Sequence, residues 1–448
     1  MTWRQRDKRS TDSLCALQWC RYLTVSKGPT STLYSLTYIF ALYCLSPMIF
    51  VYTLVQAVRA RDRRYLRGRY GFGHFERTPA PIWIHAASVG EVLAAEPLVR
   101  SLKTRCSNQS IVVTTGTPTG GKVARLRLPP GVTQLYAPID FPGAVNRFLT
   151  ALAPSCALIM ETELWPTLYA ACASRNIPLI VVNARLSPRT LSARTWLRRI
   201  YKRALGCVDA ILARSANDRD GFVALGAPPE RVKVIGNIKF AADPGSAPAV
   251  PAPLVSRPYV LAASTHDDEE RRFVKLWRSH ERHGRLLVIA PRHPLRLKGI
   301  LKQLEPFDLR IAVRSRNDAI DEHTDLYIVD TLGELNGFMA NAQVVFIGGS
   351  LIARGGHNIL EPARLGRPIV FGPHMENFAD EARIFVESEA AIQVTDDDAL
   401  GKALTGLLDS PRQRDELGRR ARSVIDRYQD IAERYVDEIA AHCRLARI

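Results

Sequence analysis

The sequence predicts an α/β protein built from two doubly wound parallel sheets, with a membrane segment in front of them. Short apolar runs rich in Val and Ile alternate with helical patterns from residue 81 onward, which is typical of parallel sheets covered on both faces. A stretch rich in Pro, Ala and Ser interrupts this alternation at residues 242–258. The 448 residues exceed what one ordinary core accommodates, so we expect two domains.

The membrane segment is predicted from residues 28–58, which contain no Asp, Glu, Lys, Arg or His. An uncharged run longer than roughly 20 residues predicts a membrane helix, and we assign the anchor to residues 31–58 behind a basic extension at 1–30. Pro47 lies inside the run, which leaves a tilted or monotopic insertion open. The segment "RARDRRYLRGRYGFG" at 59–73 is strongly basic, so the positive-inside rule places the bulk of the protein in the cytoplasm.

The first domain is predicted over residues 59–243, as an acceptor-binding domain by the resemblance given below. Its strands are the apolar runs "IWIHA" (82–86), "SIVVTT" (110–115), "CALIME" (156–161), "PLIVVNA" (178–184), "DAILAR" (209–214) and "VKVIGN" (232–237). Helical patterns separate these runs, so each pair of strands forms a crossover unit of a parallel sheet.

The second domain is predicted over residues 259–448, after a linker at 244–258. Its strands are "YVLAAS" (259–264), "RLLVIA" (285–290), "LRIAV" (309–313), "LYIVD" (326–330), "QVVFIGG" (343–349) and "PIVFG" (368–372). Two helical stretches follow from about residue 397; the second, at 411–442, is amphipathic, and we expect the C-terminal helix to pack back on the first domain. Because strand C-termini face crevices in open α/β sheets, a ligand is expected in a cleft between the domains.

Charge and cysteine usage restrict the partners. The formal net charge is +17 and the pI is about 9.7, which favours an anionic partner: nucleic acid, acidic lipid or a phosphorylated substrate. The eight cysteines contain no C-x-x-C pair, which argues against a zinc knuckle or a disulfide framework. His280 and His283 lack a nearby cysteine or an H-E-x-x-H pattern, so we interpret them as a solvent-facing pair and expect no metal site.

The stretch "HAASVGE" at 85–91 contains the first candidate catalytic residue. Ser88 and Glu91 have the S-x-x-E spacing of a helix capping box, in which the carboxylate only satisfies a backbone donor. The same Glu91 follows a strand, where an α/β fold presents its working residues. Both readings stay open on spacing alone, and a carboxylate at a helix N-terminus is expected to have a lowered pKa.

A candidate phosphate cradle lies in "FIGGSLIARGGHNILEPARLGRPIVFGP" at 346–373. A predicted strand ends at Gly348, Gly349 and Ser350, and a second glycine pair precedes a helix that is expected to begin near Asn358. Glycines let backbone N–H groups approach a phosphate, and a helix N-terminus adds dipole attraction. Alternatively, the glycines form a tight loop and Asn358 with Glu361 makes a second helix cap. No G-K-[ST] follows, so this is not a P-loop.

Further polar residues follow other predicted strands. "METELWP" at 160–166 places Glu161 and Glu163 at a strand end, either as cleft carboxylates or as a helix start. Lys239, in "GNIKF", ends the last strand of the first domain, and His266, in "STHDDEE", follows the first strand of the second. Arg292 and His293, in "APRHP", follow the next strand, where an anion would be welcome. Any one of these basic residues taken alone is interpreted as a solvated surface charge.

Taken together, these stretches resemble the bacterial 3-deoxy-D-manno-octulosonic acid (Kdo) transferases of lipopolysaccharide synthesis. The shared motifs, in order over roughly residues 32–435, are "HAASVGE", "TTGTPTG" (114–120), "METELWP", "VNARLS" (182–187), "GNIKF", "STH", "PRH" and "GGSLIARGGHNILEPA". The resemblance implies a GT-B architecture, with two Rossmann-like domains around a cleft. It further implies inverting transfer of Kdo from CMP-Kdo to the lipid A precursor lipid IVA, at the cytoplasmic face of the bacterial inner membrane.

The resemblance also assigns roles to residues. It makes Glu91 the general base, with Ser88, Gly90, Glu161, Glu163, Lys239 and His266 as cleft or acceptor contacts. It places the donor, CMP-Kdo, at Arg292, His293, Gly348, Gly349, Ser350, Gly356, His357, Asn358 and Glu361, with Arg292 as the candidate for the Kdo carboxylate. No metal and no cofactor are implied, and the expected partners are lipid IVA, CMP-Kdo and anionic inner-membrane lipid, with no nucleic acid.

Two departures from the family pattern concern loop conformation. Asp268 stands where a glycine is common, and Gly116 stands where Met is usual.

Two other functions are weighed against the transferase. A sugar-nucleotide epimerase uses the same pair of domains and a carboxylate base but needs no membrane anchor. A non-catalytic protein bound to anionic lipid would make the glycine loops purely structural.

Overall fold

The computed structural model describes residues 29–73, 80–186, 188–241, 254–279 and 284–443. The chain divides into two compact units, one comprising Met1–Pro244 with Asp430–Ile448 and the other Gly245–Gln429. Each unit contains one seven-stranded parallel sheet, as the alternation of apolar runs and helices predicts. Most of the predicted linker, together with His280 and His283, lies outside the described residues.

The sheet of the first unit has the strand order β3-β2-β1-β4-β5-β6-β7. The strands are β1 (Ile82–His85), β2 (Ile111–Thr115), β3 (Val132–Tyr136), β4 (Cys156–Met160), β5 (Leu179–Ala184), β6 (Ala210–Ala213) and β7 (Val232–Val234). The helices are α1 (Pro29–Cys44), α2 (Ser46–Ala60), α3 (Arg63–Arg69), α4 (Val89–Arg105), α5 (Pro118–Arg127), α6 (Pro142–Leu152), α7 (Pro166–Ser174), α8 (Pro188–Leu191), α9 (Thr195–Gly206) and α10 (Ala216–Leu225).

Strand β3 is absent from the sequence prediction. It forms the edge of the sheet, and its residues 132–135 are only partly buried. Strands β1, β2, β4, β5 and β6 are buried at every position, which is why they read as continuous apolar runs. An edge strand contacts fewer neighbours, so its sequence "VTQLY" carries polar residues that hide it from a search for apolar runs.

The predicted membrane segment forms two helices instead of one. Helices α1 and α2 meet at Leu45, and residues 37–44 and 46–60 are bent by 55° relative to each other. Pro47 lies in the first turn of α2, where its missing N–H cannot continue the preceding helix. Within the described residues, no one helix has both the length and the apolarity of a membrane span, whereas this bent pair meets both conditions when its members are combined.

The sheet of the second unit has the strand order β10-β11-β9-β8-β12-β13-β14. The strands are β8 (Tyr259–Thr265), β9 (Leu286–Pro291), β10 (Ile311–Val313), β11 (Leu326–Ile328), β12 (Val344–Ile347), β13 (Ile369–Phe371) and β14 (Ile392–Gln393). The helices are α11 (Glu269–Ser279), α12 (Leu297–Leu304), α13 (Leu335–Asn341), α14 (Leu360–Arg364), α15 (Ala379–Glu387), α16 (Asp397–Asp409) and α17 (Pro411–Asp426). Strand β14, with two residues, is too short to give a sequence pattern.

The amphipathic stretch at 411–442 is not one helix, contrary to the prediction. It breaks after α17, and helix α18 (Ile431–His442) belongs to the first unit. Tyr435 on α18 donates a hydrogen bond to the carbonyl oxygen of Gly236 at 2.7 Å, and Ile431 packs over the same glycine. No Pro or Gly marks the break at 427–430, so tertiary packing of Ile431 and Tyr435 sets it.

The topology of each sheet reverses next to its first strand. In the first unit, β1 lies between β2 and β4; in the second unit, β8 lies between β9 and β12. Such a switch point leaves a crevice at the carboxyl ends of the two strands, where ligands of doubly wound proteins bind. A ligand-binding site is therefore expected at the loops that follow β1, β4, β8 and β12.

Candidate active site

Glu91 lies in the first turn of α4, directly after β1, and its side chain is 9% exposed. Its Oε2 accepts a hydrogen bond from the backbone N–H of Ala87 at 2.8 Å. The hydroxyl of Ser88 donates to its Oε1 at 3.0 Å and accepts from the backbone N–H of Glu91 at 3.3 Å. A variant of the predicted capping box is thus formed, in which Glu91 accepts from the N–H of Ala87 and not from that of Ser88. The adjacent Gly90 is exposed.

The ionisation of Glu91 departs from the expectation for a cap. Burial raises the pKa of its carboxyl to about 7, and the negative charges of Glu163 and Glu161 add to this rise. The hydrogen bonds from Ala87 and Ser88 act in the opposite direction but are outweighed. The prediction of a lowered pKa is therefore wrong, because removal from water and nearby carboxylates outweigh the helix terminus. A carboxyl that titrates near neutral pH is suited to accept a proton.

Glu161 and Glu163 leave the end of β4, on the other side of the same switch point. Glu161 has a left-handed backbone, with φ of +56°, and its carboxylate lies 3.2 Å from Nε of Arg185 and 3.9 Å from Nζ of Lys239. It is therefore ion-paired to two basic side chains. The structure thus brings Lys239 to Glu161, whereas Arg185 was not predicted.

Glu163 differs from Glu161 in its surroundings. Burial raises the pKa of Glu163, while a hydrogen bond from Trp165 and the charge of Arg69 lower it. Helix α7 begins at Pro166, so a helix does start within the stretch 160–166, and Glu163 precedes its first turn. The structure thus gives the first unit three carboxylates, Glu91, Glu161 and Glu163, close enough to influence the ionisation of Glu91.

Two buried groups near these carboxylates were missed by the sequence analysis. Arg69, at the end of α3, donates from Nη1 to the carbonyl oxygen of Ala137 at 2.8 Å, and its buried Nε has no acceptor among the described residues. His85, at the end of β1, shares a hydrogen bond of 2.9 Å with the hydroxyl of Thr114, and burial lowers its pKa to about 4. Arg69 was counted among the surface cations of 59–73; no local pattern distinguishes it from its neighbours.

Three histidines meet at the switch point of the second unit. His266 follows β8, His293 follows β9 and His357 lies in the loop after β12. Nε2 of His266 is 2.8 Å from Nε2 of His357, and the rings of His266 and His293 are 5.8 Å apart between centroids. The predicted donor residues His293 and His357 are thus close together, and His266, predicted as a cleft residue, belongs with them.

This histidine cluster has a positive environment. Burial lowers the pKa of His357 to about 4, and the charges of His266 and Arg292 lower it further. Burial also lowers the pKa of His266, assisted by His293 and Arg354. Neither Arg292 nor Arg354, both exposed, forms an ion pair with a carboxylate in the part of the chain that the structure describes. The loop edge is therefore suited to an anion, and Arg354 is an addition to the predicted set.

The amides predicted to cradle a phosphate are already hydrogen-bonded within the protein. The buried carboxylate of Glu269 accepts from the backbone N–H of Gly349 at 2.7 Å, of Ser350 at 3.2 Å and of Leu351 at 3.1 Å. It also accepts from the N–H of His266 at 2.9 Å. The prediction that the backbone N–H groups of Gly349 and Ser350 bind the donor phosphate is therefore corrected: they bind the carboxylate of Glu269. The sequence analysis did not identify Glu269.

The glycines of this loop are needed for close packing. A Cβ on Gly348 would overlap the carbonyl oxygen of Ser264, and Gly349, with φ of +67°, lies against the rings of His266 and His357. The hydroxyl of Ser350 donates to the carbonyl oxygen of Ile347 and accepts from the N–H of Gly372 at 2.8 Å. These three residues shape the loop that carries the histidines, and their contact with a donor stays a prediction.

The second half of the loop leads into a helix near Asn358, as predicted. Helix α14 begins at Leu360, two residues after Asn358, and has only five residues. The side chain of Asn358 accepts from the N–H of Leu360 at 3.0 Å and donates to Oε1 of Glu361 at 3.1 Å. Gly356 has φ of +68° and lies under Met375. Asn358 and Glu361 are thus paired with each other at the start of the helix, as in the alternative interpretation of a helix cap.

Asp268 explains a departure from the family pattern. Its backbone has φ of +76°, a region that glycine adopts without steric cost, so the glycine that is common here fits the loop better. At Gly116, a Cβ would lie 3.1 Å from the carbonyl oxygen of Ala87, next to the Glu91 loop.

Within the described ranges, no group of three or more His, Cys, Asp or Glu side chains could hold a metal ion.

Comparison with known proteins gives a consistent family. A family model described as 3-deoxy-D-manno-octulosonic-acid transferase (kdotransferase) matches residues 64–242. The 3-deoxy-D-manno-octulosonic acid transferase of Haemophilus influenzae is 34% identical over 405 residues, which cover 87% of this chain and 94% of that protein. The protein of the same name from Bordetella pertussis is 34% identical over 425 residues, covering 90% and 98%.

Solved structures share the fold at much lower identity. The UDP-GlcNAc 2-epimerase from Neisseria meningitidis, solved with UDP-GlcNAc, superposes with a TM-score of 0.55 at 11% identity, over 81% of this chain and 100% of that chain. A putative UDP-N-acetylglucosamine 2-epimerase from Listeria monocytogenes gives 0.54 at 15% identity, over 81% and 97%. These likenesses concern the fold alone.

The two doubly wound units, each with polar loops at its switch point, define a protein of the GT-B class. Sequence identity over nearly the full length of its relatives then specifies the family within that class. The chain belongs to the 3-deoxy-D-manno-octulosonic acid transferase family, and it is a glycosyltransferase of lipopolysaccharide biosynthesis.

Proposed function

We propose that the protein transfers Kdo from CMP-Kdo to the lipid A precursor lipid IVA, with inversion at the anomeric carbon and Glu91 as the general base. The reaction needs neither a metal ion nor a cofactor, because basic side chains stabilise the leaving phosphate. The relatives named above are Kdo transferases, which supports this chemistry over epimerisation; the epimerases share the fold only.

The observation that carries the proposal is the contrast between Glu91 and a second capping acid, Asp218. Ser215 and Asp218 form the same type of box at the start of α10, with the Asp218 N–H donating to the Ser215 hydroxyl at 3.1 Å. Asp218, however, lies 3.0 Å from Nε of Arg214. Glu91 forms no ion pair with any described Lys or Arg, and its charged neighbours are carboxylates. Asp218 thus has a cationic partner, whereas Glu91 has none among the described Lys and Arg residues.

The proposed step balances in protons and electron pairs. The ionised carboxylate of Glu91 takes the proton from a hydroxyl of the acceptor, and the hydroxyl oxygen forms a bond with the anomeric carbon of Kdo. The bond between that carbon and the phosphate oxygen breaks, and CMP leaves with the electron pair. Attack opposite to the leaving group inverts the centre, which requires a single base.

The donor belongs to the second unit in this proposal. Arg292 and Arg354 attract the phosphate and the Kdo carboxylate, and a guanidinium fits a carboxylate with two parallel hydrogen bonds. His266, His293 and His357 donate to the same anion once they gain a proton. Asn358 and Glu361 contact the ribose or the cytosine, and Glu161, Glu163 and Lys239 contact the sugar hydroxyls of the acceptor.

We further propose that the protein acts at the cytoplasmic face of the inner membrane. Lipid IVA has acyl chains and two phosphates, so its enzyme must reach a bilayer surface and attract anions. Ten apolar side chains at residues 40–58 are exposed, and the net charge is +17. Anionic lipid attracts a cationic protein segment by about 1 kcal/mol for each Lys or Arg near the membrane surface.

The proposal is tested with purified protein, lipid IVA and freshly generated CMP-Kdo in excess EDTA. Wild type should release CMP and add one or more Kdo masses to the lipid, whereas Glu91→Ala should do neither. Unchanged lipid with wild type, where the Bordetella pertussis relative is active in parallel, would exclude this acceptor or donor. Loss of activity in EDTA that returns with a divalent ion would exclude metal independence.

Asp218→Ala is the matched control for the loss of a cap. Removing either acid should cost stability, and at least as much for Asp218→Ala, because Asp218 also accepts from the N–H of Leu186 at 3.1 Å and pairs with Arg214. Urea unfolding of both variants measures this cost. Asp218→Ala should retain CMP release, since Asp218 has no part in the chemistry. Equal loss of activity in two variants that are both folded would show that Glu91 acts only as a cap.

A further inference from the structure

Helices α1 and α2 present a continuous apolar surface to solvent. The exposed side chains are Phe40, Tyr43, Leu45, Met48, Phe50, Val51, Tyr52, Leu54, Val55 and Val58. Met48 is 66% exposed and Val58 is 68% exposed, which is unusual for apolar residues within helices. An apolar patch of this extent on a protein surface marks a contact with a partner or a membrane.

The opposite face of the same helices is packed against the first unit. The hydroxyl of Tyr38 donates to Oδ2 of Asp140 at 2.9 Å. Leu42 and Ile49, one on each side of the bend, pack against a buried cluster of Ile139, Phe141 and Ala144. The ring centroids of Tyr43 and Phe141 are 5.3 Å apart. The first helix and the bend are therefore held on the surface of the domain.

The end of the second helix is held by the same unit. Thr53 and Ala57 are buried, and Ala57 packs in a cluster with Tyr65 and Tyr136. Beyond the helix, Asp62 accepts a hydrogen bond from the hydroxyl of Tyr136 at 2.8 Å and caps α3 through the N–H of Arg64. The contacts of α1 and those of α2 thus reach one and the same folded domain.

We infer that the bent pair of α1 and α2 inserts into one leaflet of an anionic bilayer, entering and leaving on the same face, and does not cross it. A segment that crosses a bilayer has its two ends on opposite faces. Here Tyr38 and Ala57, near the two ends of the apolar pair at residues 37–60, both contact the first unit, which has polar loops and cannot lie on both sides. This inference rests on the membrane location proposed above.

Cations border the apolar surface on the side of the following helix. Arg59, in the last turn of α2, and Arg61, Arg63, Arg64 and Arg67, which follow the helix, are exposed. Helix α9, which packs against α1, adds further exposed residues: Trp196, Arg198 and Lys202. A band of arginines beside apolar and aromatic side chains fits acidic headgroups above acyl chains. This charge complementarity favours a lipid surface over an apolar protein partner as the occupant.

The arrangement is tested by the sides on which the two termini lie. The full chain, with one protease-cleavable tag before residue 1 and a different tag after residue 448, is produced in a bacterial host. Spheroplasts are then treated with protease from outside, with a periplasmic marker as the control for access. Both tags should be protected until the cells are lysed. Cleavage of the N-terminal tag alone in intact spheroplasts would show a crossing segment and overturn the inference.

Binding to vesicles tests the surface itself. Vesicles with 30% anionic lipid should sediment with wild-type protein, and a double variant, Met48→Glu with Val58→Glu, should bind at least tenfold less. Leu332→Glu is the matched control, because Leu332 is 83% exposed but lies in the second unit. If the double variant and the control bind as wild type does, the surface is not a lipid contact.

The outcomes separate this inference from the proposed function. A protein that remains in the supernatant after membranes are sedimented would overturn both the membrane location and the insertion mode. A membrane-bound, active transferase whose N-terminal tag is cut from outside would overturn only the insertion mode. An inactive protein with both tags protected would leave the insertion mode supported and the transferase assignment contradicted.

Discussion

Nε2 of His266 lies 2.8 Å from Nε2 of His357, and the two ring planes are within 6° of each other. At this distance one nitrogen donates its proton and the other accepts it, so at least one ring is neutral. Nearby positive charges from Arg292 and Arg354 reinforce this state. The pair is therefore a neutral donor and acceptor unit in the free protein, and an added anion would favour its protonation.

Stability should fall as the pH decreases from about 6.5 to about 4. The pKa of His357 is about 4 in the folded protein and about 6.5 in an unfolded chain. Between these values the unfolded chain binds the proton and the folded chain does not, so unfolding is favoured as the pH falls. Urea unfolding at pH 7.5 and 5.0 should show a smaller loss for His357→Gln than for wild type, by on the order of 1 kcal/mol after solvent screening. Equal losses in both proteins would contradict the assignment.

The pH profile of the transferase should depend on Glu163. Because Glu91 must be ionised to act as the base, kcat/KM should rise with pH and level off above about pH 7, the pKa of Glu91. Glu163→Gln removes a negative charge that raises this pKa, so the rising limb should move to lower pH. Glu91→Gln should lower kcat by about 10²- to 10⁴-fold, the usual contribution of a general base.

The control for the pH profile is a conservative change elsewhere in the first unit. Asp437→Asn alters an exposed carboxylate that pairs with Arg105, and its profile should match that of wild type. A Glu163→Gln profile that also coincides with wild type would mean that the two carboxylates do not interact. A profile that moves to higher pH would reverse the sign of the proposed interaction.

Glu269→Gln should destabilise the second unit and weaken the binding of the sugar nucleotide. The carboxylate accepts four backbone N–H groups at the ends of β8 and β12, and an amide replaces one acceptor oxygen with an NH₂ group that faces these donors. Each buried donor left without a partner costs about 1–3 kcal/mol. Thermal unfolding and CMP titration of the full chain measure the two effects.

Asp267→Asn serves as the comparison for Glu269→Gln. Asp267 belongs to the same loop, but its side chain is 81% exposed and pairs with Arg296 at 3.1 Å. An exposed ion pair contributes about 0–1 kcal/mol, so this variant should unfold close to wild type. If both variants behave alike, the nest of backbone N–H groups around Glu269 has little energetic weight.

Asp268 offers a stabilising substitution. Its φ of +76° suits glycine, so Asp268→Gly should retain or increase stability by up to about 1 kcal/mol, even though it removes an exposed ion pair with Arg271 at 2.9 Å. Asp268→Val should cost about 1–3 kcal/mol, since a β-branched residue is strained there. We expect the urea midpoint to be highest for Asp268→Gly, intermediate for wild type and lowest for Asp268→Val. An order with Val above Asp would show that the loop adopts another backbone conformation.

Much of the fold was predicted correctly from local patterns. Twelve predicted strands correspond to twelve of the fourteen observed strands, because a strand buried on both faces must be a continuous apolar run. The two exceptions, β3 and β14, are an edge strand and a two-residue strand. Neither has enough buried positions to produce the pattern on which the prediction depends.

The site was predicted in part. The positions of Glu91, His266, His293 and His357 at strand ends follow from the order of strands and loops along the chain. Glu269 was missed because its partners, Gly349 to Leu351, are about 80 residues away in sequence. The same reason explains why the ion pair of Glu161 was not predicted: Lys239 is supplied by a distant loop.

The sequence by itself determined the two parallel sheets, the capping box at Ser88 and Glu91, and the apolar segment before the first domain. Each of these depends on residues close in sequence, where backbone sterics and the need to bury apolar side chains leave few alternatives. Only the tertiary structure decided that Glu91 titrates near pH 7, that Glu269 occupies the loop amides, and that α1 and α2 lie on one domain. Burial and electrostatic interaction depend on which distant groups become neighbours, and local sequence does not specify those neighbours.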